Sequence, residues 1–172
     1  MEYFSIVKET DLFEGVVEEP VEYKLRPTAK GIVLDEHGRV ALLSNGEHSL
    51  FPGGGVEKGE TYEEAFIREC IEEIGCKVGN IQELGSALQY SASIAMEYQV
   101  TFFIATVSGE KGTPTTKEVG ELACVLSWVA PEEVTRILED QIPFIRKDDY
   151  RAHFNCRTHL AAWNLYLKKG RV

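Results

Sequence analysis

The chain has 172 residues, 44% of them hydrophobic and 27% charged, the balance of an ordinary globular protein long enough to bury a substantial core. Its net charge of −10 at pH 7 disfavours long nucleic acid as a partner and means that a phosphate ligand would have to bring cations with it. No apolar run approaches bilayer length, and MEYFSIVKETD lacks a basic-then-apolar leader pattern, so we expect no membrane association and a cytoplasmic location.

In chain order, residues 1–27 hold short apolar groups (Tyr3, Phe4, Ile6, Val7; Val16, Val17; Val21, Tyr23, Leu25) broken by Glu, Gly and Pro, which predicts an N-terminal strand or hairpin. The runs TAKGIVL and RVALLS flank DEHG, a strand, tight turn and second strand. NGEHSLF then leads into Pro52, which favours an extended approach to the three glycines that follow.

Thr61 with Glu64 three residues on forms a capping box, so a helix starts there, and Gly75 is its natural stop. At about 100° per residue, Glu69, Glu72 and Glu73 share one arc with the small Ala65 beside them, while Phe66, Ile67, Cys70, Ile71 and Ile74 lie opposite. Like charges three and four residues apart cost a helix a few tenths of a kcal/mol per pair. An acidic face next to a glycine loop is also where hard cations find oxygen ligands. Residues 54–76 carry seven acids against Lys58 and Arg68, so half of the excess negative charge is concentrated there.

Residues 81–90 and 98–108 are β-rich, with SASIAME between them as a loop or strand continuation. A Gly/Pro/Thr-rich loop carrying Glu118 and Glu121 precedes a strand at 122–129. Pro131 with Glu132 and Glu133 opens a helix. A long C-terminal helix is expected at 147–168, with Cys156, Leu160, Trp163 and Leu167 on one stripe. The four cysteines (70, 76, 124, 156) have no CxxC or Cys/His spacing and read as reduced thiols. With no repeat and no linker, residues 1–172 read as one domain, and mixed strands and helices indicate an α/β architecture.

Gly54, Glu60, Arg68, Glu69, Glu72, Glu73 and Gly75 stand at the spacing G-x5-E-x7-R-E-U-x-E-E-x-G-U, which resembles the Nudix box. At residue frequencies of around one in fourteen, seven fixed positions agree by chance on the order of 10⁻⁸ of the time at a given start. Both apolar U positions are Cys here (Cys70, Cys76), a soft departure because free Cys packs as a small hydrophobe. The resemblance is specific over 52–76, weaker over 28–51 and 98–139, and does not cover 1–20 or 140–172.

The resemblance implies an α/β/α sandwich with a mixed central sheet. It also implies a Mg²⁺-dependent hydrolase, with Mn²⁺ as the alternative ion, cleaving the pyrophosphate of a small nucleoside diphosphate linked to another moiety. By position, Glu69, Glu72, Glu73 and the Gly53 carbonyl would hold the metal, with Arg68 and Glu60 orienting the carboxylates. The general base would be Glu69 or a loop acid, Glu121 ahead of Glu118 because it adjoins the next strand. Tyr90 and Tyr98 are candidates to stack a base, with core packing as the alternative. His153 and His159 read as packed or surface residues. A homodimer is a candidate assembly. The competing function is a non-catalytic nucleotide-binding regulatory domain on the same fold, against which the intact acidic set argues.

Overall fold

The computed structural model describes residues 2–12, 18–116 and 123–170. Its strands are β1 (Tyr3–Lys8), β2 (Lys24–Leu34), β3 (Val40–Ser44), β4 (Ser49–Leu50), β5 (Gly53–Gly55), β6 (Val78–Ser91), β7 (Met96–Val107) and β8 (Val125–Val129). The helices are α1 (Glu9–Leu12), α2 (Tyr62–Ile74), α3 (Pro131–Asp140) and α4 (Tyr150–Lys169). The sheet runs β1-β6-β7-β2-β3-β4, with β5 joined to β2 and β8 to β3. It is mixed: β1 is parallel to β6 and β2 to β7, while β6 and β7 are antiparallel. Of the strand or hairpin expected at the N-terminus, the described residues form the strand: β1 is an edge strand paired with β6 more than 80 residues away.

Strand β2 organises the sheet. One edge pairs with β7 from Lys24↔Met96 to Leu34↔Thr106. The other is divided, Thr28–Lys30 taking β5 and Leu34 taking β3. Alternation along the central strands feeds two apolar layers. Ala29, Val33, Ala41, Phe103 and Ala105 meet Phe66, Cys70 and Ile74 of α2. Ile32, Leu42, Phe102 and Ile104 meet Val134 and Leu138 of α3 and Trp163 and Tyr166 of α4. The expected three-layer sandwich is thus formed, with a structural reason for each face.

Helix α4 departs from its predicted stripe. Its buried residues include Ala152, Cys156, His159, Trp163 and Tyr166, a four-three spacing, whereas Leu167 is 38% exposed. The helix is turned so that His159 stacks on Phe51 (5.3 Å between ring centroids) and Trp163 Nε1–H donates to Thr135 Oγ1 of α3 at 2.8 Å. Polar partners, invisible to an apolar count, set the rotation.

At the β2–β3 turn, Asp35 accepts hydrogen bonds from the His37 and Arg39 backbone N–H groups, from Arg39 Nε, and from Lys111 Nζ at 2.7 Å. Burial by itself would raise this carboxyl, but Lys111, Arg39 and the two backbone donors outweigh it and hold the group far below the usual carboxylate range. Lys111 also lies 4.0 Å over the Trp128 ring, so it ties the loop after β7 to β8. Asp35→Asn should cost about 1–3 kcal/mol at pH 7, as expected when buried hydrogen-bonding groups lose a charged partner. A depressed folded-state pKa means the contribution is present above the unfolded carboxylate value near ~4 and is lost as pH falls from there toward the folded value. Urea melts of both proteins at pH 7 and pH 3 should therefore show a gap that narrows on acidification.

Candidate active site

Helix α2 begins as its sequence dictates. Thr61 Oγ1 accepts from Glu64 N–H at 3.2 Å while Glu64 Oε2 accepts from Thr61 N–H at 2.8 Å. It ends at Gly75, whose φ of 66° is the left-handed value a residue without Cβ adopts cheaply. The buried face is Ala65, Phe66, Glu69, Cys70 and Ile74, rotated from the expected one: Ile71 is 38% exposed and Ala65 fully buried. The cause is β5. The glycine strand lies so close to α2 that a Cβ at Gly54 would sit 2.7 Å from Glu69 Cδ. Only a small residue fits at 65, and Glu69, 6% exposed, is drawn to the margin of the core.

Arg68 binds the acids together. Its Nε donates to Glu60 Oε1 at 2.8 Å and Nη2 to Glu60 Oε2 at 3.1 Å. Nη1 donates to Glu69 Oε1 at 2.8 Å and Glu72 Oε2 at 3.1 Å, and Nη2 also reaches the Gly55 carbonyl at 2.9 Å. This one guanidinium uses its fork to align three carboxylates against β5. The Arg68 hydrogen bonds hold the Glu60 carboxyl below its ordinary value, and the same bonds, Glu60 first, push Arg68 further into its charged form.

The Gly53 peptide is clamped at both ends. Its N–H donates to Glu73 Oε2 at 2.6 Å, and its carbonyl accepts from Lys30 Nζ at 2.6 Å. Of the expected metal ligands, Glu69 and Glu72 line a cleft of about 680 Å³, whereas Glu73 is engaged with the Gly53 N–H. Among the described residues no three His, Cys, Asp or Glu side chains are gathered closely enough to hold a metal as they stand. The donor chemistry still fits a hard divalent cation: three carboxylates and a carbonyl, all oxygen, with the carbonyl already facing a positive charge.

The cleft has a second wall absent from the sequence reading. Lys24, Leu25, Arg26 and Pro27 of β2, Met96 of β7, and Thr115 and Thr116 face the acids across it. Thr115 and Thr116 are fixed there by N–H bonds to the Glu72 carbonyl at 2.8 and 2.9 Å. Lys24 and Arg26 form no ion pair among the described residues. The only sequence signal for them is two cations at alternate positions ahead of the β2 core run.

Tyr90 and Tyr98, expected to stack a base, do not line this cleft. Tyr90 packs edge-on against Tyr23 at 5.2 Å, and Tyr98, on the opposite face of the sheet, packs against the α3/α4 apolar layer. His159 is a core residue, as expected. Glu118 and Glu121 lie outside the described residues. All four cysteines are free thiols, and burial pushes Cys156 up to about 12.

A family model described as NUDIX domain matches residues 24–148, from the start of β2 to just short of α4. The chain belongs to the NUDIX family. Within it, the chain is 38% identical over 64 residues to an RNA pyrophosphohydrolase of Aliivibrio fischeri, covering 36% of this chain and 38% of that protein. It is 31% identical over 102 residues to a putative 8-oxo-dGTP diphosphatase of Bacillus subtilis, covering 58% of this chain and 63% of that one. The chain thus spans less than two thirds of the length of these relatives. A solved NUDIX hydrolase from Nitrosomonas europaea superposes with a TM-score of 0.63 at 18% identity, covering 86% of this chain and 92% of that structure, which supports the shared fold. Among the described residues no helix is long and apolar enough to cross a membrane.

Proposed function

We propose that the protein is a metal-dependent NUDIX hydrolase that cleaves the pyrophosphate of a small nucleoside diphosphate linked to another moiety. The observation that carries this reading is the composition of the cleft, where acids held by Arg68 face two cations, Lys24 and Arg26, that form no ion pair among the described residues. In a chain of net charge −10, such an arrangement suits a polyanion that arrives with divalent ions. Glu69, Glu72, Glu73 and the Gly53 carbonyl would hold Mg²⁺, or Mn²⁺ in its place. When bound, the ion would neutralise phosphate charge and supply an activated water.

The chain's own groups have separable tasks. Arg26 and Lys24 bind the phosphates from the β2 side and orient the anhydride along the cleft. Arg68 holds Glu69 and Glu72 in orientation through its Nη1 hydrogen bonds. Glu69, nearly buried beside Gly54, is the proposed proton acceptor, and Glu121 or Glu118 are the alternatives. Leu25, Met96 and Val56 give the cleft an apolar side against which a nucleobase can lie. Residues 1–172 act as one unit in this proposal, since α4 packs into the same apolar layer as β2 and β7, and the setting is cytoplasmic.

The test is a screen of nucleoside triphosphates, dinucleoside polyphosphates, nucleotide sugars and ADP-ribose for metal-dependent product release. The likeness to RNA pyrophosphohydrolases favours adding RNA with a 5′ polyphosphate as a second substrate class. Absence of metal-dependent turnover on every class would leave the regulatory reading in its place. On the substrate found, Arg26→Ala should raise KM about 10- to 100-fold, the worth of a charged hydrogen bond, with a much smaller change in kcat. An unchanged KM would remove Arg26 from phosphate binding.

A further inference from the structure

We infer that His159 of α4 is a positioning residue for the glycine strand: from the far side of the sheet it fixes the Phe51 peptide and thereby sets where Gly53–Gly55 stands against α2. The imidazole is fully buried, and its Nδ1 accepts the Phe51 N–H at 3.0 Å. The ring stacks on Phe51 with planes 17° apart and stands edge-on to Phe102 at 5.2 Å. Phe51 joins β4 to β5, so the held peptide lies two residues before Gly53.

Three successive residues are each secured by a different element. Phe51 N–H goes to His159 of α4, the Pro52 carbonyl accepts from Gly31 N–H of β2 at 3.0 Å, and Gly53 N–H goes to Glu73 of α2. Loss of the first leaves the strand fixed only from β2 onward. An apolar side chain would fill the same space without an orphan polar atom, yet among the described residues His159 Nε2 is buried with no hydrogen-bond partner, a cost in free energy that the bond at Nδ1 offsets. Burial holds the ring well below its ordinary pKa, so it stays neutral and Nδ1 remains an acceptor. Helix α4 begins after the end of the family match at residue 148, so this support comes from a segment outside the family pattern.

The deciding comparison is His159→Leu against His159→Asn in the full-length chain. Both side chains have the same branched shape at the Nδ1 position, and only Asn places an acceptor there. Amide hydrogen exchange is read across 51–55, at Phe51 and Gly53–Gly55, and, as reference, at 100–105 of β7. Mn²⁺ binding is followed by the electron paramagnetic resonance signal of the free ion; this readout, unlike exchange, rests on the metal reading proposed above. In the Leu variant, exchange at 51–55 should accelerate about 10-fold more than at the reference, and Mn²⁺ half-saturation should rise by about 10-fold, while Asn stays within about twofold of wild type in both.

Uniform acceleration across both segments in the Leu variant overturns the inference. So does selective loosening of 51–55 with unchanged Mn²⁺ half-saturation, if the wild type binds the ion. If the wild type binds no Mn²⁺, the metal reading fails and the exchange comparison alone decides the role of His159. If the Leu variant does not fold, the Asn variant decides: wild-type exchange at 51–55 upholds the inference, and selective loosening there despite the retained acceptor overturns it.

Discussion

Glu73→Gln is expected to lower turnover by at least on the order of 10²-fold and to raise the metal concentration needed for half-maximal activity, because it removes one unit of charge from the ligand set proposed above. The fold should survive. Glu73 is half-buried beside β5, and its carboxylate oxygen accepts the Gly53 N–H at 2.6 Å, an acceptor function that the amide oxygen of Gln retains. Thermal melting should therefore show a shift of a few degrees at most, while metal titration and kcat change together. Near-normal kcat with an unaltered metal titration would remove Glu73 from the ligand set and leave it as an anchor of the glycine strand alone.

Phe66→Ala should do the reverse, costing about 3–5 kcal/mol of stability, the range for truncating a fully buried aromatic, with a melting point lower by roughly 10 °C. Phe66 is fully buried and stacks on Phe103 with centroids 5.3 Å apart and planes 14° apart. It also lies directly on Gly31, where an added Cβ would be 2.6 Å from the ring. The space left by truncation is walled by β2, β7 and α2, all held by backbone ladders, so it cannot readily collapse. Because the same ring seats α2 against β2, residual folded protein should also bind metal less tightly. A melting point within a degree of wild type would show that α2 does not depend on this contact.

Much of this was legible in the sequence because it is local. The capping box at Thr61 and Glu64, the stop at Gly75 and the acidic arc of α2 follow from side chains three and four residues apart, whose geometry the helix itself imposes. The β-rich composition of residues 98–108 likewise specifies a strand, seen as β7. The spacing of Gly54, Glu60, Arg68, Glu69, Glu72, Glu73 and Gly75 pointed to the family that the match over residues 24–148 shows, since positions fixed by one helix and its caps are local to the chain.

What the sequence could not supply depends on which distant segments meet. The rotation of α2 that exposes Ile71 and buries Ala65 and Glu69 was decided by the approach of the glycine strand, a packing contact with no periodic signature. The cationic wall of Lys24 and Arg26 became a site feature only when β2 paired in parallel with β7 and brought its first residues opposite α2. Tyr90 and Tyr98, base-stacking candidates by composition, lie outside the cleft lining because strand register sets Tyr98 against the α3/α4 layer and pairing places Tyr90 beside Tyr23. His159 could be read from the chain only as a packed or surface residue; that its Nδ1 meets the Phe51 N–H across 108 positions was decided by tertiary packing, because an unpaired backbone donor selects its partner from whatever the folded interior brings within reach.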